Sequence, residues 1–173
     1  MTTAQHTGID SWQLVTDAAT LAARAHDGQT RHDGTPYMQH PSRVAVLLAQ
    51  AGAGEALIAA GFLHDVIEDC TVDWDEIEER CNADVADWVA AMTKDMRMPE
   101  AAREADYRQQ LVDGPWQGRA IKLADQIDNF TNASERTTSK LRPKAQWALD
   151  IAIVDDEQVI AWLRARLTAL LAS

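Results

Sequence analysis

Gly61-Phe62-Leu63-His64-Asp65-Val66-Ile67-Glu68-Asp69 is an apolar run that ends in one imidazole and three carboxylates. Read as a helix, it sets His64 four residues before Glu68, and Asp65 three and four residues before Glu68 and Asp69. These side chains then share adjacent stripes of one surface. Phe62, Leu63, Val66 and Ile67 face the other way, into packing. Three close carboxylates repel each other unless a cation or protons neutralise them. A divalent metal is the simplest resident that makes the cluster favourable; a solvated acidic patch at a helix C-terminus is the alternative reading.

The run closes a helix expected from Glu55 to Asp69, and the periodicity on both sides of it is helical too. Upstream, Ser11 to His26 places Trp12, Val15, Ala18, Ala22 and Ala25 on one face, with Asp10 or Ser11 as N-cap. Gly28, Gly34 and Pro36 mark His26 to Pro36 as a loop. Pro41 suits a first turn, which predicts a helix from Ser42 to Ala51.

Downstream, Asp73-x-x-Glu76 has the form of a capping box before a short helix to Cys81, and Asn82 caps the next, to Met92. Pro99 opens a helix to about Leu111, and Gly118 to about Asn132 follows. Ser134 to Ser139 reads as a loop and Pro143 as the start of a helix through Trp147 and Ile151. Asp155 or Asp156 caps the last helix, striped by Val159, Leu163, Leu167 and Leu170. No segment alternates with period two. The expectation is an all-α bundle of about eight or nine helices, with residues 1–173 as one domain and the helices of 143–171 packed on the rest.

The 173 residues are 46% hydrophobic and 25% charged, enough for an ample core. No apolar run approaches the ~18 residues of a membrane span. Met1 to Asp10 is polar and lacks a basic-then-apolar leader pattern, so a cytoplasmic protein is expected. Cys70 and Cys81 form no CxxC pair, which points to reduced thiols rather than a disulfide framework. Net charge is −11, and Asp65 to Asp113 alone holds fifteen acidic and five basic residues. That distribution offers no basic footprint for nucleic acid. A small anionic substrate remains compatible where a metal and a few arginines reverse the field locally.

Four segments carry groups that could meet: Tyr37-Met38-Gln39-His40-Pro41, His64-Asp65, Glu68-Asp69 and Lys122-Leu123-Ala124-Asp125. A six-coordinate divalent ion accepts imidazole nitrogens and carboxylate oxygens and leaves room for water and substrate. His40, His64, Asp65 and Asp125 supply two of each. Taken alone, His40 is a loop histidine bonded to backbone, and Asp125 a surface aspartate paired with Lys122. Arg24, near the end of the first helix, either assists substrate binding or is simply solvated.

The combination His40, His64-Asp65 and Asp125 resembles the H…HD…D signature of the HD metal-dependent phosphohydrolases. More narrowly, the chain resembles the RelA/SpoT-type hydrolase domain and its free-standing form, the small alarmone hydrolases. The matching blocks are Ala25-His26-x-Gly28-Gln29-x-Arg31, Gly34-Thr35-Pro36-Tyr37-x-x-His40-Pro41, Leu63 to Asp69, Val89-x-x-Met92-Thr93-Lys94 and Ile121-Lys122-Leu123-Ala124-Asp125-x-x-x-Asn129. They run in the family's order and cover about residues 10–135. The resemblance implies a helical fold and one Mn²⁺ per chain, held by His40, His64, Asp65 and Asp125. It implies that Glu68 and Asp69 position or deprotonate the attacking water, that Arg31 lies beside substrate phosphates, and that Asn129 contacts the nucleotide. Lys122 falls in the same block, with a salt bridge as its alternative role. The implied reaction is removal of the 3′-pyrophosphate of (p)ppGpp, giving GDP or GTP and pyrophosphate.

Two departures bear on the substrate. His32 stands where the family usually has lysine or arginine, and Phe130-Thr131-Asn132 lacks the family's arginine and threonine. Both leave fewer fixed charges for an anionic nucleotide. An HD phosphohydrolase acting on a nicotinamide dinucleotide phosphate or a deoxynucleotide is therefore the rival enzyme. A metal-binding, nucleotide-sensing module without turnover is the rival outside catalysis. The tail after Glu135 is expected to hold no synthetase domain.

Overall fold

The computed structural model describes residues 12–172. Their helices are α1 (Gln13–Ala25), α2 (Gln39–Gln50), α3 (Glu55–Leu63), α4 (Val66–Asp69), α5 (Trp74–Arg80), α6 (Ala83–Met92), α7 (Glu100–Asp113), α8 (Trp116–Thr131), α9 (Glu135–Ile151) and α10 (Gln158–Ala172). Apart from α4, a single turn, nine helices are present among the described residues, and the fold is all-α. The only pairing of extended backbone there is an isolated bridge between Thr30 and Pro36. No helix of the described residues is long and apolar enough to cross a membrane. The N-cap expected at Asp10 or Ser11 lies outside the described residues.

Two helices occupy the interior. α3 is apolar all round, with Leu57, Ile58, Ala59, Ala60, Gly61 and Leu63 buried, as a helix enclosed on every side must be. It packs on α1, α2 and α6. α8 is buried from Gly118 to Asp128 except at Lys122 and is enclosed mainly by α2, α9 and α10, so its two inner carboxylates sit inside the protein. Arg119 on α8 is latched at both ends. Its Nε and Nη2 each donate to Asp155 at 2.7 Å, and Nη1 donates to the carbonyls of Leu111 and Gly114 at 2.8 Å. Asp155 thus serves as this ion-pair partner rather than as the cap of α10, which starts three residues later.

The sequence reading placed a continuous helix over Glu55 to Asp69, but α3 stops at Leu63 and α4 resumes at Val66. The interruption has a geometric cause. Successive residues on a helix project about 100° apart, so adjacent side chains cannot aim at one point. At the turn, Asp65 Oδ2 comes within 3.1 Å of His64 Nε2.

α2 begins three residues before the expected start, which brings His40 into its first turn beside Pro41. There the proline's missing N–H costs nothing. α9 runs unbroken through Pro143, across the segment expected to be a loop. Pro143 offers no N–H to the Ser139 carbonyl, but both residues are exposed, so water can serve that oxygen. Buried Ala145, Ala148 and Leu149 hold the helix in place. Asp73 and Asn82 cap α5 and α6 as expected, accepting from the Glu76 and Val85 amides at 3.0 and 2.9 Å. Both cysteines are free.

Gly61 is where α2 and α3 meet most closely. A Cβ there would lie 2.6 Å from Leu48 Cδ1 and 3.3 Å from the Ala45 Cα. Gly61→Ala is expected to lower the unfolding free energy by about 1–3 kcal/mol through overpacking. That outweighs the helix preference of alanine, ~1 kcal/mol. Urea denaturation measures it, and a variant as stable as wild type would show that the two helices can part at no cost.

Candidate active site

The site forms where the N-terminus of α2, the turn between α3 and α4 and the C-terminal half of α8 converge. His40 Nε2 lies 3.5 Å from Asp65 Oδ2 and 3.4 Å from Asp125 Oδ1. The ligand-capable atoms of His40, His64 and Asp65 all fall within 4.8 Å of one another. Asp125 stands beside this group with its oxygens already engaged. Lys122 Nζ and Gln126 Nε2 each donate to Oδ2 at 3.0 Å, and Asn129 Nδ2 donates to Oδ1.

Neighbouring groups fix both imidazoles. The His64 Nδ1–H donates to the Gly61 carbonyl at 2.9 Å, which turns Nε2 inward, where it is buried without a hydrogen-bond partner. The His40 Nδ1–H donates to Asp128 Oδ2 at 2.7 Å. Asp128 is itself buried, and it also accepts from Arg43 Nε, from Arg43 Nη2 at 3.2 Å and from Asn132 Nδ2 at 2.9 Å. Arg31 Nη1 approaches the same carboxylate at 3.6 Å. Ring nitrogens oriented by a carboxylate and a carbonyl are what metal-binding histidines ordinarily have.

The electrostatics describe a cation site that protons balance. Burial pulls the His40 pKa down, but hydrogen bonds to Asp125 and Asp128 and the charges of Asp125 and Asp65 outweigh it, raising the ring to about 9. Burial raises the Asp65 and Asp125 carboxyls, yet His64 in the first case and Lys122 in the second hold them below the usual carboxylate range. A pair of imidazoles and a pair of ionised carboxylates, with one orphaned nitrogen aimed inward, fits a divalent cation.

Glu68 and Asp69 flank this centre. Glu68 is half-buried; its Oε2 accepts from the Lys94 amide at 3.2 Å, and burial raises its pKa. The Tyr37 hydroxyl lies 2.7 Å from Asp65 Oδ2 and 2.9 Å from Asp69 Oδ2, and its one proton serves them in turn. Burial, then the charge of Asp65, drives the Tyr37 pKa far up, so the phenol stays a donor.

These groups open into a cleft of about 430 Å³, a volume suited to a small molecule. Arg31, His32, Lys122 and Asn129 line it, as do the aromatic rings of Tyr37, Tyr107 and Trp147. Arg31 Nη2 donates to Asn129 Oδ1 at 2.9 Å, which joins the loop to α8. Gly28 and Gly34, with φ of 74° and 82°, let that loop double back between Thr30 and Pro36. Arg24 is not among the lining residues; its guanidinium pairs with Glu76 on α5.

Sequence reasoning offers Asp128 for chemistry beside Asp125 without a specific role, and assigns none to Tyr37, Arg43, Arg108, Lys144 or Trp147. The signal for Asp128 was its spacing, three residues after Asp125 on one helix face. Tyr37 lies three before His40 in the same block. Nothing in the sequence separates Arg108 and Lys144 from ordinary exposed helix charges.

The sequence model described as HD domain matches residues 18–153. The chain belongs to the HD-domain family. Within it, the chain is similar to two proteins named guanosine-3′,5′-bis(diphosphate) 3′-pyrophosphohydrolase MESH1. The one from Xenopus tropicalis is 30% identical over 147 residues, spanning 80% of this chain and 82% of its own. The one from Danio rerio is 31% identical over 153 residues, spanning 82% and 83%. A probable chloroplastic GTP diphosphokinase RSH2 from Oryza sativa subsp. japonica is 36% identical over 152 residues, 82% of this chain. This chain spans about a fifth of the length of such diphosphokinases, 21% and 22% for the two from rice. A solved structure described as a metazoan ortholog of SpoT that hydrolyzes ppGpp has the same fold, with a TM-score of 0.77 at 21% identity over 96% of this chain and 98% of that one.

Asp128→Asn keeps the volume of the side chain and removes the charge that orients His40. Divalent-metal affinity should fall by about 10–100-fold, the usual cost of losing such a partner, with the far-UV circular dichroism unchanged. Calorimetric titration measures it, and unaltered affinity would reduce Asp128 to a packing role.

Proposed function

We propose that this chain hydrolyses the 3′-pyrophosphate of (p)ppGpp, with one Mn²⁺ held by His40, His64, Asp65 and Asp125. One observation carries the reading: His40, the carboxylates of Asp65 and Asp125 and Glu68 open into the same cleft as a set of cations and aromatic rings, with the buried, orphaned His64 Nε2 close beside His40 and Asp65. The MESH1 relatives, named for this reaction and matched over most of their length, support it. When bound, the cation supplies Lewis acidity that polarises a phosphoryl oxygen and makes water more acidic.

The residues of the chain divide the remaining work. Glu68, anchored through Oε2 by the Lys94 amide, takes the proton of the attacking water; its raised pKa makes it the stronger base. Asp69, held by the Tyr37 hydroxyl, orients the same water. The water oxygen bonds to the phosphorus attached to O3′, the P–O3′ bond breaks, and O3′ leaves to become a hydroxyl. Arg31 lends planar charge to the phosphates, and Asn129 binds the nucleotide beside it. The cations from α7 and α9 offset the fixed charges missing at His32 and after Asn129.

Chelator-treated protein should lose hydrolysis, and Mn²⁺ should restore it better than Ca²⁺, because nitrogen ligands favour transition ions. Glu68→Gln should bind metal as wild type does while kcat on ppGpp falls by about 10²–10⁴-fold. Single-turnover assays with both proteins read this directly. Unchanged kcat would give Glu68 a structural role. Wild-type protein that ignores ppGpp yet cleaves a monophosphorylated nucleotide would move the reaction to another substrate.

A further inference from the structure

Beyond Arg31, the cleft is lined by Lys94 from the 93–99 connection, Arg108 from α7, Lys122 from α8 and Lys144 from α9. One carboxylate, Glu104 of α7, lies among them. Lys94 Nζ donates to Glu104 Oε1 at 2.8 Å. Lys94 and Lys122 ammoniums sit 5.1 and 5.4 Å from the centroid of the Tyr107 ring, so two segments deliver cations to one aromatic ring. Arg108 lies 5.0 Å over the Trp147 ring, three residues along α9 from Lys144. The Lys94 hydrogen bond, then the charges of Lys94, Lys144 and Lys122, lower the Glu104 pKa. Lys144 itself has neither a hydrogen bond nor an ion pair among the described residues. Lys122 is paired with Asp125, and the two remaining ammoniums, of Lys94 and Lys144, carry more positive charge than this single carboxylate balances.

We propose that Glu104 holds the place of a substrate phosphate: its carboxylate occupies an anion subsite formed by Lys94, Lys122 and Lys144, and yields to a dianionic phosphate. The proposal rests on the phosphohydrolase reading above. The subsite adjoins the reaction centre, because Lys122 donates to Asp125 at 3.0 Å and the Lys94 amide donates to Glu68. The phosphate that reaches it is therefore the terminal one of the scissile pyrophosphoryl group, rather than those at the 5′ end. When pyrophosphate departs, Glu104 re-forms its pair with Lys94, so the protein replaces the lost anion with its own and product release is assisted.

The two products separate the two sources of phosphate. Protein loaded with one equivalent of Mn²⁺ is titrated calorimetrically with inorganic pyrophosphate and, separately, with GDP. Glu104→Gln should tighten pyrophosphate binding by about three- to tenfold, the scale of one partly solvated charge interaction. Lys144→Glu, at an exposed helix position, should weaken it by a similar factor. Both effects should shrink at high salt, and neither variant should alter GDP binding. Pyrophosphate affinity unchanged in both variants overturns the proposal, as does a shift confined to GDP. The readout involves no turnover. Wild-type protein that does not cleave ppGpp defeats the proposed reaction, while one that cleaves ppGpp with unaltered pyrophosphate binding in both variants defeats only the role of Glu104.

Discussion

A carboxylate inside a protein must be matched by donors, or its burial costs more than the fold can offset. Asp128 is matched by His40 and Arg43 of α2 and by Asn132 one turn further along α8, with Arg31 of the preceding loop at ion-pair distance. Burial raises its pKa, and the bonds to His40 and Arg43 bring it back below the usual range. The loop, the start of α2 and α8 can all satisfy it only in one mutual placement. That placement is the one that brings His40 to Asp125. The geometry of the proposed metal ligands is thus set from behind, by a residue that is not among those lining the cleft.

The acidic stretch that dominates the charge of the chain surrounds a cleft of mixed sign. From Asp65 to Asp113 the sequence is strongly negative, yet Lys94 and Arg108, two of its five basic residues, line the cleft. With Arg31, Lys122 and Lys144 they build a local field that the linear sequence conceals. The floor is negative and cation-seeking; the wall is positive and anion-seeking. A phosphate ester with a bound cation satisfies both at once.

Much of this was legible in the sequence. The helices were readable because their apolar periodicity is strong, His64 and Asp65 because such residue types rarely close an apolar run, and His40 and Asp125 through the resemblance to the HD signature. The structure brings these four side chains together, along with Glu68 and Asp69. The break at His64 was not readable, since nothing in Leu63-His64-Asp65-Val66 disfavours a helix and only convergence of adjacent side chains requires the turn. α9 was misplaced because Pro143 signals a start wherever its neighbours are polar, whereas tertiary packing of Ala145 and Ala148 decides the matter. Arg24, which the sequence offers either for substrate binding or for plain solvation, is directed by α1 toward Glu76 of α5. Arg108 and Lys144 were invisible as parts of the cationic wall because each, on α7 and α9, is an ordinary helix charge by itself.

The two sides of the cleft differ in how firmly each residue is held. His40, His64, Asp125 and Asp128 are buried and interlocked, so a change at any one disturbs several bonds at once. Arg108 and Lys144 are exposed on helix faces whose packing lies elsewhere. Such positions accept substitution at almost no cost in stability. Mutation in a lineage can thus reshape the wall one residue at a time while the floor stays fixed. Under the proposed function, the choice of nucleotide is free to diverge among descendants of a common ancestor long before the capacity for hydrolysis does.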